Sequence, residues 1–165
     1  MALGLIELEA AGGPADPTPV TSRSLPAERG VRSEAVTVLA APAETVAQFL
    51  SDPKNFVPLF PAESIDIVSA EPTKKIIAVV MKKPFPIGTV RWVEDVVSSA
   101  NDDAHRYQID RTAHGGGYFR AMHARWLVEP TPEDPARCKV TYEVSMELNR
   151  WAPEWALRRG NLNGI

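Results

Sequence analysis

From residue 137 to residue 148 the chain alternates apolar and polar side chains without a break. Cys138, Val140, Tyr142, Val144, Met146 and Leu148 fall in one phase; Arg137, Lys139, Thr141, Glu143, Ser145 and Glu147 fall in the other. A strand points successive side chains to opposite faces, so this pattern describes a ribbon with one face packed and one in water. Antiparallel sheets tolerate a wet face, and the dry face must then be covered by another layer. The segment therefore commits the chain to a one-sided antiparallel sheet with something packed across it.

Matching ribbons precede it. Residues 64–71 and 74–81 flank the break Pro72-Thr73, residues 89–99 and 104–111 flank Asn101-Asp102-Asp103, and residues 118–129 lead into a loop with Pro130, Pro132 and Pro135. Residues 82–88, with Pro84, Pro86 and Gly88, and the run His114-Gly115-Gly116-Gly117 read as loops from their turn chemistry. An earlier strand carries Val36, Val38 and Ala40 and ends before Pro42. Pro42 suits a first helical position, Glu44 the first turn, and Val46, Phe49 and Leu50 make one apolar stripe. Asp52-Pro53 repeats the start signal for a second short helix, with Phe56, Leu59 and Phe60 on its apolar side and Pro58 and Pro61 limiting its length. A terminal helix is expected over residues 151–163, where Trp151 and Trp155 stand four apart, Pro153 suits the first turn and Gly160 the stop. The expected order is strand, two short helices, six strands, helix: an α+β fold whose curved antiparallel sheet packs on the terminal helix. Residues 1–30, rich in Ala, Gly, Pro, Ser and Thr, read as a flexible leader to a domain over 31–165.

Composition narrows the function classes. A chain of 165 residues fits one domain with a sizeable core. The net charge of -3, with Lys and Arg scattered, provides no basic face for a phosphate backbone, so nucleic acid is not an expected partner. No apolar run approaches the roughly 18 residues that span a bilayer. The single cysteine, Cys138, rules out an intrachain disulfide and fits a reducing, cytoplasmic setting; in the apolar phase it reads as a small buried hydrophobe.

The run Val38-Leu39-Ala40-Ala41-Pro42-Ala43-Glu44-Thr45-Val46, then Phe49-Leu50-Ser51-Asp52-Pro53 and Phe60-Pro61, resembles the opening of START-like helix-grip (SRPBCC) proteins. It is similar to the polyketide cyclase/dehydrase and coenzyme Q-binding branch; Gly117-Tyr118-Phe119, Ala124-Arg125-Trp126-Leu127-Val128 and the alternating strand fit the same pattern, so the resemblance covers about residues 31–155. It implies a β-α-α-β6-α order, a sheet gripping the C-terminal helix, and a hydrophobic tunnel between them. The short terminal helix departs from the long one usual in the family and implies a more open groove.

A polar side chain on the apolar phase needs a partner or a ligand. Glu94 shares a phase with Val90, Trp92 and Val96; Arg120 shares one with Met122, Ala124, Trp126 and Val128; His105 and Arg111 share one with Tyr107 and Ile109. The reading pairs Glu94 with Arg120 as a polar anchor in apolar walls, with Trp92, Glu94, Tyr107, Arg120, Met122, Trp126 and Tyr142 facing the ligand, and Glu94, Arg120, His105 and Tyr107 as candidate acid–base groups. The competing reading puts Arg120 at the rim and Glu94 on a solvated face, since a register slip of one residue exchanges the faces. His105, His114 and His123 lack metal-ligand spacing, and neither a metal nor a cofactor is expected. Three functions follow in order: binding or carriage of a small hydrophobic ligand (lipid, isoprenoid or aromatic polyketide); a polyketide aromatase/cyclase; and an interaction module, including a homodimer, docking through Trp151 and Trp155.

Overall fold

A computed structural model describes residues 20–25, 30–57, 62–83, 88–114 and 119–148. Eight strands make one curved antiparallel sheet in the order β1-β2-β8-β7-β6-β5-β4-β3. They are β1 (Thr21–Leu25), β2 (Val31–Leu39), β3 (Ala62–Ala70), β4 (Lys74–Lys83), β5 (Gly88–Asn101), β6 (Arg106–His114), β7 (Phe119–Pro130) and β8 (Cys138–Leu148). From β3 to β8 each strand lies beside its successor, whereas β2 sits beyond β8 at the other side of the sheet. The chain between β2 and β3 must therefore cross the sheet, and it does so as helix α1 (Ala43–Ser51) and a 3-10 turn (Pro53–Phe56).

The crossing segment is apolar on the side it turns to the strands. Ala43, Val46, Ala47 and Leu50 are buried at i, i+3, i+4 and i+7, and α1 lies against β6, β7 and β8. Pro42 occupies the N-cap rather than the first helical position, and Glu44 sits in the first turn. The second start signal works through Asp52, whose carboxylate accepts the Lys54 N–H at 3.1 Å, with Pro53 at the first position. It launches a 3-10 turn where a second α-helix was expected. The Asn55 side chain donates to the Phe49 carbonyl at 2.8 Å, and the turn ends with Phe56 buried under the sheet. Leu59 and Phe60, the loop glycines Gly115, Gly116 and Gly117, and the expected terminal helix with Trp151 and Trp155 lie outside the described residues.

One core cluster joins the helix to the inner face: Ile77 and Val79 on β4, Val90, Trp92 and Val96 on β5, Ile109 on β6, Ala124, Trp126 and Val128 on β7, Cys138, Val140 and Val144 on β8. The alternation on β8 thus faces inward as its phase required. The outer face is polar and paired: Asp110 meets Arg125 at 2.8 Å and His123 at 3.0 Å, and Asp95 meets Lys74 at 2.7 Å and His114 at 3.0 Å.

Two expectations change at strand ends. Thr21–Leu25, read as part of the leader, forms β1, an edge strand paired from Thr21 with Val36 to Leu25 with Arg32. Its short, polar TSRSL sequence carries no apolar alternation; backbone pairing with β2 defines it. The sixth strand begins at Arg106, because residues 102–104 make a 3-10 turn and His105 adopts φ 47°. His105 is thereby an exposed turn residue outside the inner-face phase.

Gly30 enters β2 at φ 68°, and a Cβ there would lie 2.1 Å from the Met146 carbonyl oxygen on β8. Both the backbone conformation and the close approach require glycine. Gly30→Ala should destabilise the fold by about 1–3 kcal/mol, read as a lower urea midpoint at unchanged m-value. Burial pushes the Cys138 thiol up to about 11. A disulfide reagent at pH 8 should therefore label it only as fast as the protein unfolds, and prompt labelling of the native chain would contradict that placement.

Candidate functional site

Glu94 lies on the inner face of β5 with 1% of its surface exposed, too little for water to solvate a carboxylate. Its charge is met from two sides. One carboxylate oxygen accepts the Trp92 indole N–H; the other accepts Arg111 Nε at 2.5 Å and lies 2.5 Å from Arg111 Nη2. Arg111, 6% exposed, comes from β6. The register explains the meeting: Glu94 stands opposite Ala113 and Val96 opposite Arg111, so the two charges are diagonal neighbours on adjacent strands.

Aromatic rings enclose the cation. The Arg111 guanidinium sits 4.6 Å from the Phe56 ring centroid and 5.9 Å from that of Trp126. Phe56 and Trp126 are 5.3 Å apart, and Trp126 stacks on Tyr142 at 4.6 Å with 29° between planes. The stack follows from pairing, since Trp126 on β7 stands opposite Tyr142 on β8. Five elements thus supply one site: the 3-10 turn gives Phe56, β5 Trp92 and Glu94, β6 Arg111, and β7 with β8 the ring pair.

Tyr142 has a mixed character. Burial raises its phenol above the ordinary tyrosine value, with Glu94 adding to the rise and Arg111 opposing it, yet the residue keeps accessible surface. Its ring packs on Trp126 while part of its surface stays accessible. Its hydroxyl makes no hydrogen bond among the described residues and stays protonated at neutral pH, so it can donate to a ligand oxygen.

The structure separates the other residues singled out in the sequence. Arg120 is exposed and meets Glu147 at 3.4 Å; Glu94 pairs with Arg111 in its place. Two facts remove Arg120: β6 lies between β5 and β7, and the register shifts between Phe119 and Ala121, a bulge at Arg120 itself. Arg111 was legible as an inner-phase residue; adding the rule that consecutive strands pair would have selected it over Arg120. Tyr107 shares the inner face of β6 with Arg111 but lies about 13 Å along the strand. It lines two clefts beside α1, of about 520 and about 190 Å³, open to solvent and sharing Ala47 and Ser51 with it. Met122 is half-buried opposite Met146, and Trp92 is buried in the core. Glu94, Arg120, His105 and Tyr107 therefore do not converge on one reacting centre. Among the described residues no cluster of His, Cys, Asp and Glu is arranged to hold a metal, and no helix is long and apolar enough to cross a membrane.

Removing one member of the buried pair leaves an uncompensated charge, which costs about 3–5 kcal/mol. Arg111→Met and Glu94→Gln should each approach that loss in chemical denaturation, and the double variant should recover part of it. Arg120→Ala, whose pair is solvated, should stay within about 1 kcal/mol of the parent. A double-mutant cycle showing additive losses at 94 and 111 would contradict the coupling.

Comparison with known proteins agrees with this architecture. Residues 30–161 match the profile of the family described as polyketide cyclase / dehydrase and lipid transport. Among solved structures, the STAR-related lipid transfer protein of Xanthomonas axonopodis (fragment 25–204) superposes with TM-score 0.72 at 15% identity, covering 93% of this chain and 89% of that one. The human StarD13 lipid transfer and protein localization domain gives 0.67 at 12% identity, covering 93% and 82%. The Zhui aromatase/cyclase of Streptomyces gives 0.57 at 15% identity, covering 82% and 73%. No curated protein matches the sequence.

Proposed function

The chain belongs to the polyketide cyclase / dehydrase and lipid transport family, and on that premise we propose that it binds a small hydrophobic ligand, a lipid, an isoprenoid or an aromatic polyketide, in a hollow beneath its sheet. The observation that supports the reading is the inner face itself, where Trp126 stacks on Tyr142 and Tyr142 keeps part of its surface accessible. Apolar walls with a few fixed polar groups are the ordinary composition of a ligand site. The likeness of the fold to lipid transfer proteins supports the same reading.

A second reading, polyketide aromatase/cyclase, is supported by the Zhui likeness and by the Tyr142 hydroxyl, a donor of the kind that polarises a carbonyl. Both carboxylate oxygens of Glu94 are already engaged, which disfavours it as a free general base. Binding alone needs no group beyond those present, and it ranks first.

Organic extraction of the purified full chain should release an apolar compound in near-stoichiometric amount, and the emptied protein should bind Nile red saturably. Trp126→Ala should weaken that binding about tenfold, the scale of one lost aromatic contact. Absence of both a bound compound and saturable dye binding would overturn the proposal. Turnover of a poly-β-ketone that disappears in Tyr142→Phe while dye affinity is kept would move the cyclase reading to first place.

A further inference from the structure

The two clefts beside α1, of about 520 and about 190 Å³, share Ala47, Ser51 and Tyr107 and so make one continuous groove. Its charged groups balance and are already engaged. Lys75 Nζ donates to the Ser51 carbonyl at 2.7 Å, at the negative end of α1; Asp52 accepts the Lys54 N–H at 3.1 Å, and Glu44 accepts from the Gln48 amide at 3.2 Å. Two carboxylates, Glu44 and Asp52, stand against two ammonium groups, Lys54 and Lys75, so an ion of either sign meets no net attraction there. What stays open is hydroxylic. Ser51, Thr73, Ser98, Ser99 and Tyr107 bring hydroxyls to the smaller cleft, and each can both donate and accept. Ser98 donates to Ser51 at 3.1 Å, whereas the hydroxyls of Thr73, Ser99 and Tyr107 make no hydrogen bond among the described residues. The half-buried Tyr107 ring packs against the core and borders both clefts. A purely apolar ligand would strip water from the hydroxyls and return no hydrogen bond. A polyol ring matches them group for group, and its apolar C–H face can lie on an aromatic ring.

We propose that this groove is a second binding site, for a neutral pyranose ring, with Tyr107 as its stacking platform and Gln48, Ser51, Thr73 and Ser99 as its polar partners. It lies about 13 Å along β6 from Arg111 and is independent of what the inner face takes.

The test titrates the isotope-labelled full chain with methyl glucopyranoside and follows the backbone amide resonances. Binding should saturate with a dissociation constant of about 1 mM, the scale of a small ligand making a few contacts. The largest resonance changes should fall at Gln48, Ser51, Ser99 and Tyr107. The methyl glycosides of glucuronate and glucosamine, the same ring with one charge of either sign, should bind at least about threefold more weakly. Tyr107→Ala should weaken glucopyranoside binding about tenfold. Because Tyr107 also touches the core, the double variant Gln48→Ala/Ser99→Ala, at two exposed positions, is measured beside it and should lose about fivefold. Arg120→Ala, outside the groove, should bind as the parent does. No saturable change up to about 50 mM, or changes centred outside the groove, would overturn the site. Parent-like affinity in the folded double variant would overturn it as well. A charged ring that binds as tightly as the neutral one would overturn the assigned ligand class.

Discussion

A carboxylate and a guanidinium lie under this sheet where water hardly reaches, and the arrangement around them follows from the need to keep them there. Burying an isolated ion is prohibitive, so each must find a partner within the protein. Glu94 finds two, the Trp92 indole beside it on β5 and Arg111 diagonally across on β6. Arg111 finds ring faces above and beside it, from Phe56 and Trp126. Phe56 is delivered by the segment that crosses beneath the sheet between β2 and β3, and Trp126 is held in turn by Tyr142. The pair thereby ties together elements far apart in the chain. An apolar replacement of equal volume could hold the core as firmly.

Much of this was legible in the residues. The alternation on β8, the Asp52-Pro53 start signal and the stripe on α1 each report a strong local constraint, and each appears where its chemistry required. The pairing of Glu94 was half-legible. Phase alone placed Glu94 and Arg111 inward, but it also placed Arg120 inward, and periodicity carries no mark for a bulge. β1 was illegible for a different reason: a five-residue edge strand held by its neighbour's backbone needs no apolar pattern of its own. His105 was misplaced because the turn before β6 uses two residues more than the Asn-Asp-Asp signal indicated, Ala104 and His105, the second at positive φ.

The two faces of the sheet treat charge in opposite ways. Outside, Asp95 and Asp110 are held below the ordinary carboxylate range by hydrogen bonds from Lys74, in one case, and from Gln108 and Arg125, in the other. These are solvated pairs between neighbouring strands and fix little beyond register. Inside, among the described residues, Glu94 and Arg111 are the buried charged side chains. Charge on the outer face keeps the sheet wet, while charge on the inner face is held by contacts within the protein.

The placement of β2 against β8 joins Val31 to Met146, the second described strand to the last. A chain emerging from a ribosome therefore displays β1 and β2 long before their neighbour exists. The β3–β7 meander can assemble hairpin by hairpin, but the far side of the sheet waits for β8 to arrive and then closes late, at a high loop-closure entropy. During that interval the edge of β2 that β8 later covers stays open, the kind of surface that holding chaperones bind on nascent chains.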